Sequence, residues 1–330
     1  MRIVLCYPLQ QRHFDQIQAA APEAEIVNAG QERIAEEILA ADLFCGHPKV
    51  PTPWEEVVRL NRLKWIQSSA AGTDHLQLPS IIKSPIIITN ISGVLANQVT
   101  EQAMSLLLGL IRSLPTFFRA QQAKEYIRRP VRDLHGSTVG IVGLGGVGRR
   151  VAEVLSAFKT RILATDLFPV DKPPHVESLW SADRLDELLP LVDIVVLCVP
   201  LTAETRGMID ARRLALMRPG SILINVARGP VVVEHDLVTA LESGHLWGAG
   251  VDVAAKEPLP EDSRLWDLPN VIISPHVGGE SARRADDITA FFCENLRRYL
   301  DGRPLLNLID KILGFPIRRA TVEDVKSGTV

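Results

Sequence analysis

Short apolar runs alternate with amphipathic stretches along most of the chain. Ile3-Val4-Leu5-Cys6 reads as a strand, and Phe14, Ile17 and Ala20 fall on one face of a following helix. Glu25-Ile26-Val27 gives the next strand and Ile34 to Leu39 the next helix. Leu43-Phe44-Cys45, Leu63-Lys64-Trp65-Ile66-Gln67 and Ile86-Ile87-Ile88 follow as strands, with Pro48, Pro51 and Pro53 in a loop after the first of these. Short strands with few polar positions, separated by helices, predict a parallel sheet covered on both faces.

A long helix is expected from Asn97 to Ile111, with Val99, Ala103, Leu106, Leu107 and Leu110 on its apolar side, followed by a more polar arm from Arg112 to Arg132. The alternation then restarts. Thr138 to Val142 is a strand, a helix runs to Phe158, and further strands are expected at Arg161 to Ala164, Ile194 to Val199, Ser221 to Asn225, Gly248 to Val253 and Val271 to Ser274. A last amphipathic helix spans Ser281 to Leu300, and the polar tail from Arg318 to Val330 is expected to be weakly ordered. The pattern predicts an α/β protein of two lobes on either side of one long helix. With no linker rich in Gly or Ser, helices join the lobes.

Composition narrows the class. A chain of 330 residues corresponds to two domains at about 150 residues each. Lys plus Arg number 36 and Asp plus Glu 39, a formal charge of -3, so the basic excess of a nucleic-acid or membrane-surface binder is missing. The longest strongly apolar run, Ala103 to Ile111, is short of the ~18 residues that span a bilayer. The N-terminus reads as a strand that soon meets Pro8, Gln10 and Arg12, not as a signal peptide. The 4 cysteines (Cys6, Cys45, Cys198, Cys293) form no CxxC pair and read as core thiols of a reducing, cytoplasmic compartment. The 8 histidines show no i, i+4 pairing, so no metal site is expected.

Val139-Gly140-Ile141-Val142 leads into Gly143-Leu144-Gly145-Gly146-Val147-Gly148 and then a helical pattern. Gly143 allows the tight turn, Gly145 lets the backbone approach a pyrophosphate, and Gly148 lets helix and strand pack closely. The helix N-terminus then presents free N–H groups and a partial positive charge to the phosphates. Asp166 closes the next strand at about the distance this motif requires, where a carboxylate accepts hydrogen bonds from ribose hydroxyls. Its charge would repel a 2′-phosphate, and Leu167-Phe168-Pro169 supplies no cation, so NAD is expected over NADP.

Three other segments end strands with polar residues: Arg228 in Asn225-Val226-Ala227-Arg228-Gly229, Glu257 in Asp252-Val253-Ala254-Ala255-Lys256-Glu257-Pro258, and His276 in Ser274-Pro275-His276-Val277-Gly278-Gly279. In a parallel sheet, loops at the carboxyl ends of strands gather at one edge, where ligands bind. With Ser69-Ala70-Ala71-Gly72-Thr73-Asp74-His75 and the glycine loop, these segments make the sequence similar to the D-isomer-specific 2-hydroxyacid dehydrogenases over nearly its whole length.

The resemblance implies a Rossmann NAD-binding domain at residues 99–290, inserted in a flavodoxin-like substrate-binding domain made of residues 1–98 and 291–330. It implies a homodimer, with Leu110 to Arg132 as the contacting arm. The family's catalytic triad falls on Arg228, Glu257 and His276. Cofactor contacts fall on Gly143 to Gly148, Asp166, Val199, Pro200, Thr205, Val226, Ala227, Asp252 and Gly278, with Asp252 receiving the nicotinamide carboxamide. Substrate contacts fall on Ala71, Gly72, Arg228 and His276.

The residue types suit reduction of a small 2-oxo acid. An imidazolium at His276 can protonate the developing oxyanion, and the neutral ring can take the proton back in reverse. Glu257 orients the ring and favours its charged form. Arg228 offers a planar fork to the carboxylate, and the N–H groups of Ala71 and Gly72 hold it as well. Two departures from the family stand out: Ala70 replaces a common glycine, and Ala254 replaces a large residue. Glu257 excludes the Gln–His pair of formate dehydrogenases. Glyoxylate or hydroxypyruvate is the first expectation for the substrate. D-3-phosphoglycerate is a second, although Cys45-Gly46-His47-Pro48-Lys49 offers its phosphate only His47 and Lys49. A nucleotide-sensing protein like the C-terminal-binding corepressors is a third reading.

Overall fold

The computed structural model describes residues 1–169 and 171–316. The tail expected to be weakly ordered lies outside the described residues. The chain forms two compact units, one of Met1–Leu95 with the segment from Ser281 onward, the other Ala96–Glu280.

The first unit carries a five-stranded sheet of β1 (Arg2–Cys6), β2 (Glu25–Asn28), β3 (Leu43–Gly46), β4 (Trp65–Ser68) and β5 (Ile87–Thr89). All pair in parallel, in the order β2-β1-β3-β4-β5, the flavodoxin-like winding. β1, β3 and β4 are almost wholly buried, which is why they read as unbroken apolar runs. The helix Gln11–Ala20 packs against the helix Arg284–Leu300, and Ile17 meets Phe291, Phe292 and Leu296 in one core cluster. That packing draws the return of the chain into this unit at Ser281, ahead of the expected residue 290.

The second unit holds a seven-stranded parallel sheet of β6 (Thr138–Val142), β7 (Arg161–Asp166), β8 (Ser178–Ser181), β9 (Ile194–Leu197), β10 (Ser221–Asn225), β11 (Leu246–Val251) and β12 (Val271–Ile273). Its order is β12-β11-β10-β9-β6-β7-β8, the doubly wound Rossmann arrangement, in which the winding reverses between β6 and β9. β8 escaped the hydrophobic pattern because only Leu179 and Trp180 of its residues are apolar and the whole strand is half-buried at the sheet edge. The helix Ala96–Ile111 lies across β10 and β11. Glycine lets it approach: a Cβ on Gly250 would lie 2.8 Å from the Cβ of Leu106. The polar arm is a helix at Leu114–Gln122, with Pro115 in its first turn, and no further helix or strand follows before Thr138. Among the described residues no helix is long and apolar enough to cross a membrane.

Candidate active site

The register of the seven-stranded sheet sets one row of residues at its carboxyl edge. Val142 pairs with Thr165 on one side and Leu197 on the other. Leu197 pairs with Asn225, Asn225 with Val251, and Val251 with Ile273. Every loop named from the sequence in this unit leaves that row.

The glycine loop follows β6 at the winding switch. Gly143 has φ +92°, which a side chain rarely adopts, and a Cβ there would meet the Cys198 backbone and the Val199 side chain at 2.9 Å. A Cβ on Gly148 would fall 2.1 Å from the Gly143 carbonyl oxygen, so strand and helix close up only with glycine. The helix Gly146–Ser156 has no side-chain cap, and the N–H groups of Gly146, Val147 and Gly148 have no acceptor among the described residues. Three converging donors at a positive helix end fit the pyrophosphate of a dinucleotide.

Asp166 ends β7 with Oδ2 accepting from the Leu144 N–H at 2.7 Å and Oδ1 from the Phe168 N–H at 2.9 Å. Each oxygen keeps a further lone pair for a ribose hydroxyl. Beyond β9, Thr205 closes the turn that carries Val199 and Pro200, its Oγ1 donating to the Pro200 carbonyl at 2.7 Å. Burial pushes the neighbouring Cys198 thiol up to about 12, so it is no thiolate at neutral pH.

The three chemistry-bearing residues leave adjacent strands. Arg228 follows β10 in a turn built by Asn225, which is buried; the Asn225 Oδ1 accepts from the Ala227 N–H and its Nδ2 donates to the Arg228 carbonyl, both at 3.1 Å. That turn also holds Val226. Glu257 follows β11 in a loop whose Glu257–Pro258 bond is cis. Its Oε1 accepts from the Ala254 N–H at 3.1 Å, and its Oε2 lies 2.8 Å from Nδ1 of His276. His276 follows β12 at φ +54°, the left-handed region where non-glycine residues are uncommon. Its N–H bonds the Asp252 carbonyl at 2.7 Å. Both side chains are reachable, with 43% of the His276 side chain and 41% of Glu257 exposed.

Asp252 holds this last loop from beneath and is 3% exposed. Its Oδ1 accepts from Ser274 Oγ at 2.6 Å and the Val277 N–H at 3.1 Å, and its Oδ2 from the Gly278 N–H at 2.8 Å. Gln102 Nε2 donates to Ser274 Oγ at 2.7 Å. Reading motifs found Asp252 and Gly278 but missed Ser274, Asn225 and Gln102 as supports. A polar residue at a strand end was the only signal for the first two, and Gln102 gave none.

Ala71 and Gly72 belong to the first unit, after β4. Their N–H groups have no acceptor among the described residues, while the loop is braced by Asn90 Nδ2 on the Ala71 carbonyl and Thr73 Oγ1 on that of Gly314 at 2.7 Å. Ala70 is accommodated, its N–H donating to Ser68 Oγ at 3.2 Å. In the same unit His47 stacks on His75 with ring centroids 4.0 Å apart.

Residues 104–278 match the family model described as D-isomer specific 2-hydroxyacid dehydrogenase, NAD binding domain. The chain is 33% identical over 284 residues to a glycerate dehydrogenase of Methylorubrum extorquens, covering 83% of this chain and 87% of that protein. It is 36% identical over 261 residues to a glyoxylate reductase of Thermococcus onnurineus, covering 76% and 77%. A solved structure of a D-isomer specific 2-hydroxyacid dehydrogenase from Xanthobacter autotrophicus Py2, in complex with NADPH and MES, superposes with a TM-score of 0.82 at 30% identity over 95% of this chain and 99% of that one.

Proposed function

Because the chain belongs to the D-isomer specific 2-hydroxyacid dehydrogenases, oxidoreductases of the CH–OH group, we propose that it reduces a small 2-oxo acid such as glyoxylate or hydroxypyruvate, with His276 as acid and base. The observation that carries this reading is the 2.8 Å contact of His276 Nδ1 with Glu257 Oε2, on the strand edge that also carries Arg228. A nicotinamide dinucleotide supplies the hydride when bound.

The residues then divide the work. With Nδ1 turned to Glu257, Nε2 of His276 is the ring nitrogen left to deliver a proton to the carbonyl oxygen of the substrate, or to remove one from the hydroxyl in reverse. The Glu257 carboxylate fixes the orientation of the ring through its contact with Nδ1. The Arg228 guanidinium binds the substrate carboxylate and polarises the carbonyl. The N–H pair of Ala71 and Gly72 is a second element suited to a carboxylate. Gly146, Val147 and Gly148 take the pyrophosphate, and Asp166 takes the ribose hydroxyls and favours NAD. Asp252 acts here by shaping the His276 loop, and also stands where the nicotinamide amide would be received.

D-3-phosphoglycerate is the weaker reading, since the loop after β3 brings only His47 and Lys49 as cations and His47 is stacked on His75. We assign the arm Leu110 to Arg132 to a homodimer contact. Phe118 and Tyr126 are exposed on it by 58% and 97%, beside a groove of about 560 Å³ lined by Leu110, Pro115, Arg119 and Trp247.

The test is turnover of a panel of 2-oxo acids with NADH, repeated for His276→Ala. The rate with glyoxylate or hydroxypyruvate should fall by roughly 10²–10⁴ while NADH still binds. An unchanged rate, or no turnover of any 2-oxo acid by the unmodified protein, defeats the reading.

A further inference from the structure

Away from the strand ends that carry the candidate active site, the second unit has a groove of about 410 Å³ lined by Arg132, Asp133, Ser137, Asp193, Arg218 and Ser221. Ser221 opens β10 and Asn225 closes it, so the groove lies at the amino edge of the sheet, about 13 Å from Asn225 at the other edge. Arg132 turns back onto this edge. Its Nη1 donates to the Gly220 carbonyl, and its guanidinium lies over the Trp247 ring, 4.6 Å from the centroid. A Cβ on Gly220 would come within 3.1 Å of Nη2 of Arg132, so the guanidinium sits beside the backbone that leads into Ser221. Ser221 is 2% exposed, and its Oγ has no hydrogen-bond partner among the described residues. Buried hydroxyls ordinarily have one.

We propose that this groove binds a phosphate group, free or carried by a small metabolite, with Arg132 and Ser221 as its principal donors and Arg218 as a second cation. Arg132 is held by a carbonyl oxygen and an aromatic face, and among the described residues it makes no ion pair. With one face on Trp247, the edge of its fork is what remains for an anion. Arg218 commits Nη1 to Asp193 at 2.8 Å. A carboxylate has a single O–C–O edge for a guanidinium fork, whereas a phosphate presents several. Two arginines on different segments therefore suit a phosphate.

The two carboxylates of the groove are engaged. Asp193 accepts from the Thr138 N–H at 2.9 Å on Oδ2 and from Arg218 on Oδ1. Asp133 is exposed, with Oδ1 3.4 Å from Nη1 of Arg112, so water and a cation screen it. Ser137 Oγ donates to the Asp133 carbonyl at 3.1 Å. Partial burial disfavours the charge of Arg132 and Asp193 offsets this only in part, so a bound anion would meet a cation still short of compensation. Arg132 ends the arm and Ser221 begins an interior strand, and a phosphate between them would tie the root of the arm to the sheet.

The measurement is a calorimetric titration of the whole protein with inorganic phosphate and, separately, glycerol phosphate, at constant ionic strength in chloride. Phosphate should bind with a Kd on the order of 1 mM or tighter. Arg132→Gln should raise that Kd about tenfold and Ser221→Ala about threefold, the worth of a charged and of a neutral contact. Tighter binding of glycerol phosphate assigns the groove to a phosphate ester, and equal or weaker binding assigns it to free phosphate. Saturating NADH should leave the titration unchanged, because the glycine loop leaves the opposite edge of the sheet. A Kd above about 10 mM for both probes, a titration abolished by NADH, or a Kd that Arg132→Gln leaves unchanged overturns the proposal. Ser221→Ala, the smaller change, decides in the same way if Arg132→Gln does not fold.

Discussion

Gly229 lies so close to Ala254 that a Cβ on it would fall 1.8 Å from the Ala254 carbonyl oxygen and 2.4 Å from the Ala255 nitrogen. The contact locks the turn after β10 to the loop after β11. Arg228 precedes Gly229, and the N–H of Ala254 holds Glu257, whose other oxygen meets His276. A chain of contacts thus runs from the turn of Arg228 through Glu257 to His276.

Gly229→Ala must push the two loops apart. Since a displacement of about 1 Å in a reacting constellation costs on the order of 10²-fold, kcat should fall by about that factor while the far-ultraviolet circular dichroism stays that of the folded protein. Steady-state kinetics on the variant checks this, and an unimpaired kcat would show that the loops move independently.

Glu257→Gln keeps an acceptor for His276 Nδ1 and removes the negative charge. The bond that orients the ring then weakens from a charge-assisted to a neutral one, so kcat for 2-oxo acid reduction should fall by about tenfold. Steady-state kinetics reads it directly, with NADH binding retained. An unchanged kcat would mean that the carboxylate is not needed to orient the ring.

Asp252→Asn places an NH₂ group where a carboxylate oxygen now accepts from backbone N–H groups. Whichever way the amide turns, Val277 and Ser274 or Gly278 face a donor, and an unsatisfied buried donor costs about 1–3 kcal/mol. Thermal unfolding should record a lower Tm, and kcat should drop with it because the same bonds set the backbone of His276. Loss of cofactor affinity with Tm unchanged would instead make Asp252 a ligand rather than a support.

Phe118→Asp sets a charge in the exposed apolar stretch of the arm, where a dimer would have to bury it. Sedimentation should show the dimer dissociating at micromolar concentration, with far-ultraviolet dichroism retained. An unmodified protein that sediments as a monomer would remove the arm from that role.

Strands buried on both faces read clearly from the sequence. Val195 and Leu223 are apolar because both sheet faces are covered, so the run itself marks the strand. β8 did not read, since an edge strand of Ser178, Leu179, Trp180 and Ser181 needs no such run. The glycine motif was legible for a related reason: Gly143 and Gly148 sit where any Cβ would collide, and sterics leave a signature in residue type.

The long-range partnerships left no such mark. Arg149 reaches Asp171 and Leu144, and Gln102 reaches Ser274, because a helix turn or a packed helix face places them there. Residue types at strand ends determined which chemistry the chain carries, through the Arg, Glu, His and glycines that such chemistry requires. Which of them meet was decided by the parallel register that aligns Asn225, Val251 and Ile273. Hydrogen bonds between distant segments depend on how elements pack, and packing is a property of the assembled sheet, not of any local run.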